Sequence, residues 1–256
     1  MFKHSILILT LLIFAGLSSA QYINHNLEIV LTPDSNFVKV TDVITIPVDT
    51  AGQEIQFQLH ANLVLAEMDS SADYTIRQIT VSDTDSTAIP AEVPLKSYLV
   101  QINNGGAEKL SLKLEYQGEI NHPIAQQAKE YARGFSQTPG IISDQGVYLS
   151  GSSYWIPKFG DELVTFNMTV YIPPEWDVVT QGTRTQREGV GAQNLFRWES
   201  PQPMDEVFCI AAKFTYYEKS LGDVLAMAYL RTPDPSLANK YLETTAQYME
   251  MYNQLI

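Results

Sequence analysis

The sequence predicts a mainly β protein: an antiparallel β-sandwich or saddle-shaped domain with one short inserted helix, followed by a strand and a long helix. Three observations predict it. Apolar residues recur at every second position through most of the chain, the period of half-buried strands. Turn-forming Gly, Asn, Asp and Pro interrupt that alternation at short intervals, the spacing of a sandwich rather than of a parallel α/β sheet. After Asp234-Pro235 the apolar period changes from two to three and four, which is helical.

Residues 1–20 read as a leader. Lys3 supplies a basic start, Ser5 to Gly16 an apolar run, and Leu17-Ser18-Ser19-Ala20 the small residues of a secretory signal cleaved after Ala20. The run is shorter than the roughly 20 residues that span a bilayer. No later segment reaches spanning length, so the expected product is secreted, or periplasmic and cell-envelope, without a membrane span. Leu27, Ile29 and Leu31 then alternate up to Pro33-Asp34, and Phe37 to Val48 is a β-branched run. Ile55, Phe57 and Leu59 alternate with Gln, and Thr75 to Val81 and Tyr98 to Ile102 are shorter strands. Asn103-Asn104-Gly105-Gly106 is a turn, after which Leu110, Leu112, Leu114 and Tyr116 alternate without a break. Pro123 at a first helical position, Ile124 to Arg133 and a closing Gly134 predict the short inserted helix.

The second β region opens at Gly146. Val164, Phe166, Met168, Val170 and Ile172 share one face of the most regular strand in the chain, which Pro173-Pro174 ends. Val178-Val179, Leu195 to Trp198, Phe208 to Tyr217 and Val224 to Leu230 follow as strands. Asp234 caps a helix in which Leu237, Tyr241, Tyr248, Tyr252 and Leu255 fall near one face. That helix reaches Ile256 without a capping Gly or a basic last turn, and the expectation is that polypeptide continues beyond it.

Charge and motif content narrow the function. A net charge of −13, or −14 once Lys3 is removed with the leader, argues against nucleic acid, whose binding needs a basic face. The single cysteine, Cys209, lies in the apolar run Val207-Phe208-Cys209-Ile210-Ala211 and reads as a core residue. H-E-x-x-H, C-x-x-C, G-x-S-x-G and P-loop patterns do not occur. His4, His25, His60 and His122 are too scattered in sequence to propose a zinc site. Asp83-Thr84-Asp85 has the opening spacing of a calcium loop, but Ala88 and Pro94 stand where its Gly and Glu belong. The aromatic residues Tyr154, Trp155 and Trp176 either line a ligand rim or plug the core, and the sequence leaves both readings open.

The run from Gly146 to Gly182 carries a family resemblance. Its GVYLSG, the following Tyr154-Trp155-Ile156-Pro157, the alternating strand and Pro173-Pro174-Glu175-Trp176 resemble the N-terminal saddle-like domain of peptidase M1 zinc aminopeptidases. Ile23 to Ile46 is similar to that domain's opening hairpin, and Pro203-Met204 with Cys209 to Phe214 to its closing strand. Asp223 to Ile256 resembles the first strand and helix of the α+β, thermolysin-like catalytic domain. The resemblance implies an aminopeptidase N-terminal-like β domain over residues 21–218 and the start of a metallopeptidase catalytic domain over 223–256. It implies zinc in a longer parent, with ligands from an H-E-x-x-H and a downstream Glu that this chain lacks. No catalytic or metal residue is therefore expected here. It implies a peptide substrate, and a cleft rim at Tyr148, Ser150, Tyr154 and Trp155. Members often carry Gln-x-x-x-x-Arg-Arg-x-Phe-Pro where this chain has LSGSSYWIP. The alternative is a secreted β-sandwich that binds a glycan, peptide or surface partner and has no enzymatic role.

Overall fold

In β1 (Ile23–Thr32) every second residue, from Ile23 through His25, Leu27 and Ile29 to Leu31, is buried, as the alternation of INHNLEIVLT requires. A computed structural model describes residues 22–47, 54–66, 73–80, 92–103, 108–127 and 135–255. The predicted leader, Asp83-Thr84-Asp85 and Asn104-Gly105-Gly106 lie outside the described residues.

A 3-10 turn at Pro33–Ser35 joins β1 to β2 (Phe37–Pro47). Asn36 closes it in the left-handed region at φ 58°, a conformation that Asn adopts more readily than most residues with a side chain. Next come β3 (Glu54–His60), β4 (Val64–Leu65), β5 (Tyr74–Ile79), β6 (Leu95–Ile102) and β7 (Lys109–Glu119). The short β8 (Ala125–Gln127) and β9 (Phe135–Gln137) pair with each other, followed by β10 (Gly140–Ser143) and β11 (Gly146–Leu149). The long β12 (Val164–Ile172) matches the predicted strand residue for residue. It precedes β13 (Asp177–Val179), β14 (Thr183–Val190), β15 (Gln193–Met204) and β16 (Cys209–Ala212). A hairpin of β17 (Thr215–Leu221) and β18 (Val224–Leu230) leads to helix α1 (Pro235–Leu255).

The main sheet has the order β14-β15-β12-β1-β2-β7-β4, beside a β3-β6-β5 sheet and a β10-β11-β16-β13 sheet. Phe57, Tyr98 and Val100 of the second sheet and Val147, Leu149 and Ala211 of the third share one apolar core with the inner face of the first. The protein is mainly β, as predicted, with two departures. First, β1 pairs with β12 in parallel, from Ile23 opposite Val164 to Val30 opposite Tyr171, so the main sheet is mixed. β12 arrives by a long connection rather than a tight turn, and nothing local forces it to run antiparallel. Second, Ala125–Gln127 of the predicted inserted helix is the strand β8, and residues 128–134 lie outside the described residues. Backbone pairing with Phe135–Gln137 overrides the weak helical preference of that stretch.

α1 begins as the sequence requires, with the Asp234 carboxylate accepting the Leu237 N–H at 2.9 Å. Ala238 and Leu242 are its buried face, packed on Tyr217, Leu221 and Leu230 of the hairpin. The stripe through Leu237, Tyr241, Tyr248, Tyr252 and Leu255 is exposed. The strand predicted to open the second unit, β18, pairs along its whole length with β17. Two arginines tie this hairpin to the main sheet. Arg184 donates to the hydroxyls of Tyr229 (3.0 Å) and Tyr216 (2.6 Å) and lies over the Tyr216 ring. Arg187 lies 5.3 Å from the centre of the Tyr216 ring and also forks onto both carboxylate oxygens of Asp177 on β13 at 2.8 and 3.1 Å.

Polar groups interrupt the inner face of the main sheet. His25 Nδ1 and Asp42 Oδ2 lie 2.7 Å apart with both side chains fully buried. Burial raises the Asp42 pKa, against the attraction of His25, and drives the neighbouring Tyr116 hydroxyl well above its usual range. Removing one member leaves the other buried and unpaired. Asp42→Ala or His25→Ala is expected to cost about 3–5 kcal/mol in urea denaturation. Replacing both with leucine is expected to recover most of that loss, which a measurement of the three variants checks directly.

Candidate functional site

The loop between β11 and β12 forms a rim. Val147 and Leu149 anchor β11 in the core, so the chain leaves it at a fixed point at Ser150. A single 3-10 turn follows at Gly151–Ser153, closed by hydrogen bonds from the Ser153 N–H and hydroxyl to the Ser150 carbonyl at 3.1 and 2.6 Å. Tyr154 ends the turn in the left-handed region at φ 49°. The chain then runs beside β3, with Gln58 and Lys158 exchanging backbone hydrogen bonds at 2.9 Å and the His60 N–H donating to the Tyr154 carbonyl.

The opposite wall is Asp205–Val207. The Glu206 carboxylate accepts the Gly151 N–H at 3.0 Å, and Trp155 Nε1 donates to the Val207 carbonyl at 3.0 Å. Gln181 holds the same wall from behind, giving its amide N–H to the Glu206 carbonyl and accepting the Phe208 N–H. Gly151 has no room for a side chain, since a Cβ there would meet the Glu206 Cβ at 2.7 Å. Between the walls is a half-open pocket of about 30 Å³, lined by Ser150, Tyr154, Trp155, Phe159, Glu162 and Glu206 among others. It admits a side-chain tip or a few waters rather than a whole ligand. Asp205 joins the two glutamates to make the lining acidic against the single cation Lys158, whose ammonium sits 5.5 Å from the Tyr154 ring centre.

Of the four residues predicted at a rim, Ser150, Tyr154 and Trp155 line this pocket together. Tyr148 does not; it is exposed on β11, 6.2 Å from the Phe208 ring. Trp155 is fully buried and Trp176 nearly so, which makes both of them core plugs, with Trp155 also among the residues lining the pocket. Cys209 is buried and its thiol is pushed up to about 12 by desolvation, so it is not a nucleophile. Two histidines that the sequence leaves scattered meet beside the rim: His60 Nε2 and His122 Nε2 are 2.8 Å apart. Only the strand pairing that carries the two residues to one end of the sheets reveals this, and no sequence spacing signals it. Among the described residues no group of three or more His, Cys, Asp or Glu side chains is arranged to hold a metal ion. These residues do not fit a zinc centre.

No family model matches the sequence, and no curated protein matches it. Solved structures do. An M1 zinc metallopeptidase from Deinococcus radiodurans, a point mutant bound to a Tyr-Ser-Ala substrate, superposes with a TM-score of 0.52 at 12% identity. The match takes in 86% of this chain and 51% of that enzyme. The same mutant enzyme in a second structure gives a TM-score of 0.49 at 12% identity over 84% of this chain and 48% of the other. The fold predicted from the Gly146–Gly182 resemblance is thus the fold observed, and the chain spans about half the length of the enzyme it matches.

Rim and wall are locked by few groups, so single changes should register. Trp155→Phe keeps the packing but leaves the buried Val207 carbonyl without its donor, with an expected loss of about 1–3 kcal/mol. Gly151→Ala forces Glu206 away, with an expected cost of about 1–3 kcal/mol from overpacking. Urea denaturation measures both. A cost near zero for Gly151→Ala would show that the rim and the Glu206 wall are not in contact in solution.

Proposed function

We propose that this chain is the N-terminal, cleft-forming part of an exported zinc metallopeptidase of the aminopeptidase type. The observation that carries this reading is the fold shared with a peptide-bound M1 zinc metallopeptidase over half of that enzyme's length. In this reading zinc and the hydrolytic step belong to another part of the parent. The metal would supply Lewis-acid chemistry and an activated water there. The residues described here contribute a wall: the Ser150–Phe159 loop backed by Asp205–Val207, pre-shaped by the hydrogen bonds from Gly151 and Trp155. Its acidic lining favours a cationic peptide group over a carboxylate. The apolar leader supports export.

The chain alone is expected to show no zinc-dependent hydrolysis of aminoacyl amides, and chelator-sensitive turnover by it would contradict the assignment of the metal to the rest of the parent. Titrating the isotope-labelled chain with the tripeptide Tyr-Ser-Ala should move NMR resonances of Ser150–Phe159 and Asp205–Val207 at ~mM peptide, the weak affinity of a single wall. Shifts confined to other surfaces would sink the cleft assignment. Saturable binding of an oligosaccharide at this loop, without peptide binding, would favour a carbohydrate module instead.

A further inference from the structure

We propose that His60 and His122 form a pH-sensitive clasp that holds the pocket rim while both rings are neutral and lets it open on acidification. This concerns the rim as built and holds whether or not a peptide binds beside it.

The geometry comes first. His60 ends β3 fully buried, and His122, half-buried, follows β7. Their Nε2 atoms are 2.8 Å apart and their rings meet edge to face. The backbone N–H of Asn62 points at His60 Nδ1 at 3.1 Å. A backbone N–H can only donate, so His60 Nδ1 carries no proton and its Nε2–H donates to His122 Nε2. Asn62 N–H, His60 and His122 therefore form a one-way chain. Any second proton placed on these three ring nitrogens sets two donors face to face, at Asn62 or between the rings.

The same two residues close a ring of contacts around the rim. The His60 N–H donates to the Tyr154 carbonyl at 2.9 Å, and the His122 N–H to the Gly140 carbonyl at 3.0 Å. Gly140 abuts the Ser153 side chain so closely that a Cβ would lie 2.5 Å from it. The Ser152 hydroxyl donates to the Pro139 carbonyl at 3.3 Å. The imidazole pair is the only side-chain link of this ring that can gain a charge. Lys96 of β6 and His122 are the cationic or titratable groups that bear on His60. Tyr154 and Lys158 lie on the rim loop itself, and Glu119 ends β7 with its carbonyl taken by the Asn62 amide.

Burial, then the neighbouring His122 and Lys96, lower His60 from its ordinary 6.5 to about 4. The sign follows from linkage: the released ring binds protons more readily than the clasped one. The clasp's contribution is complete above about pH 6.5 and is lost as the pH falls towards 4.

Amide hydrogen exchange on the whole chain tests this. Corrected for intrinsic rates, protection of the His60 and His122 amides should fall roughly tenfold or more from pH 7 to pH 5, while β1 and β2 amides hold theirs. His60→Asn keeps an acceptor for the Asn62 N–H but cannot titrate there, and should flatten the profile. Ring NMR of the unmodified protein adds a readout independent of any variant's folding, with His60 expected to titrate well below its ordinary 6.5. A His60 ring titrating at its ordinary pH, or rim protection equal at pH 5 and 7, would overturn the proposal. So would Zn²⁺ at pH 7 shifting both rings stoichiometrically, which would make the pair a metal site.

Discussion

The parallel pairing of β1 with β12 is the constraint on which the rest of this structure depends. It brings together residues 141 apart in sequence, as the Asn24 amide donating to the Thr165 hydroxyl shows. Through it the opening hairpin of β1 and β2 joins β15 and β14 in a single sheet. The inner faces then align in rows, and Leu27, Met168 and Trp198 lie side by side on adjacent strands. Val164, opposite Ile23, is also a lining residue of the pocket. The register that completes the core therefore also sets where the rim loop ends.

Within that frame the rim is held mainly by polar contacts to backbone. The Glu206 carboxylate, the Trp155 indole and the Gln181 amide each satisfy a backbone group of the facing segment. Such bonds add modest net stability, but losing a partner in a buried place is costly, so they specify one arrangement of the walls. Arg184, through the Tyr229 and Tyr216 hydroxyls, and Arg187, over the Tyr216 ring, tie down the β17-β18 hairpin, whose own apolar cluster is small.

Much of this was legible in the sequence, for local reasons. β12 and β18 have the bounds their alternation indicates, and Asp234 caps α1 where an Asp-Pro pair should. The buried faces of β1, β3 and β7 are the predicted apolar positions. Where the reading failed, a distant partner outweighed local preference. Ala125–Gln127 has helical composition, yet its backbone pairs with Phe135–Gln137. In α1 the hairpin takes the Ala238–Leu242 face, where a small residue permits close approach, and the stripe through Tyr241, Tyr248 and Tyr252 is exposed.

The sequence by itself determined which residues alternate, where turns fall, and that Cys209 belongs to the core, because these depend on neighbours a few positions away. Only the tertiary structure decided strand direction, and with it the meeting of His25 with Asp42 and of His60 with His122. It also decided that Ser150, Tyr154 and Trp155 share a pocket with Glu206, while Tyr148, two residues before Ser150, does not. The physical reason is the same in each case. Strand pairing joins residues by register across the sheet, and neither register nor direction is written in a spacing along the chain.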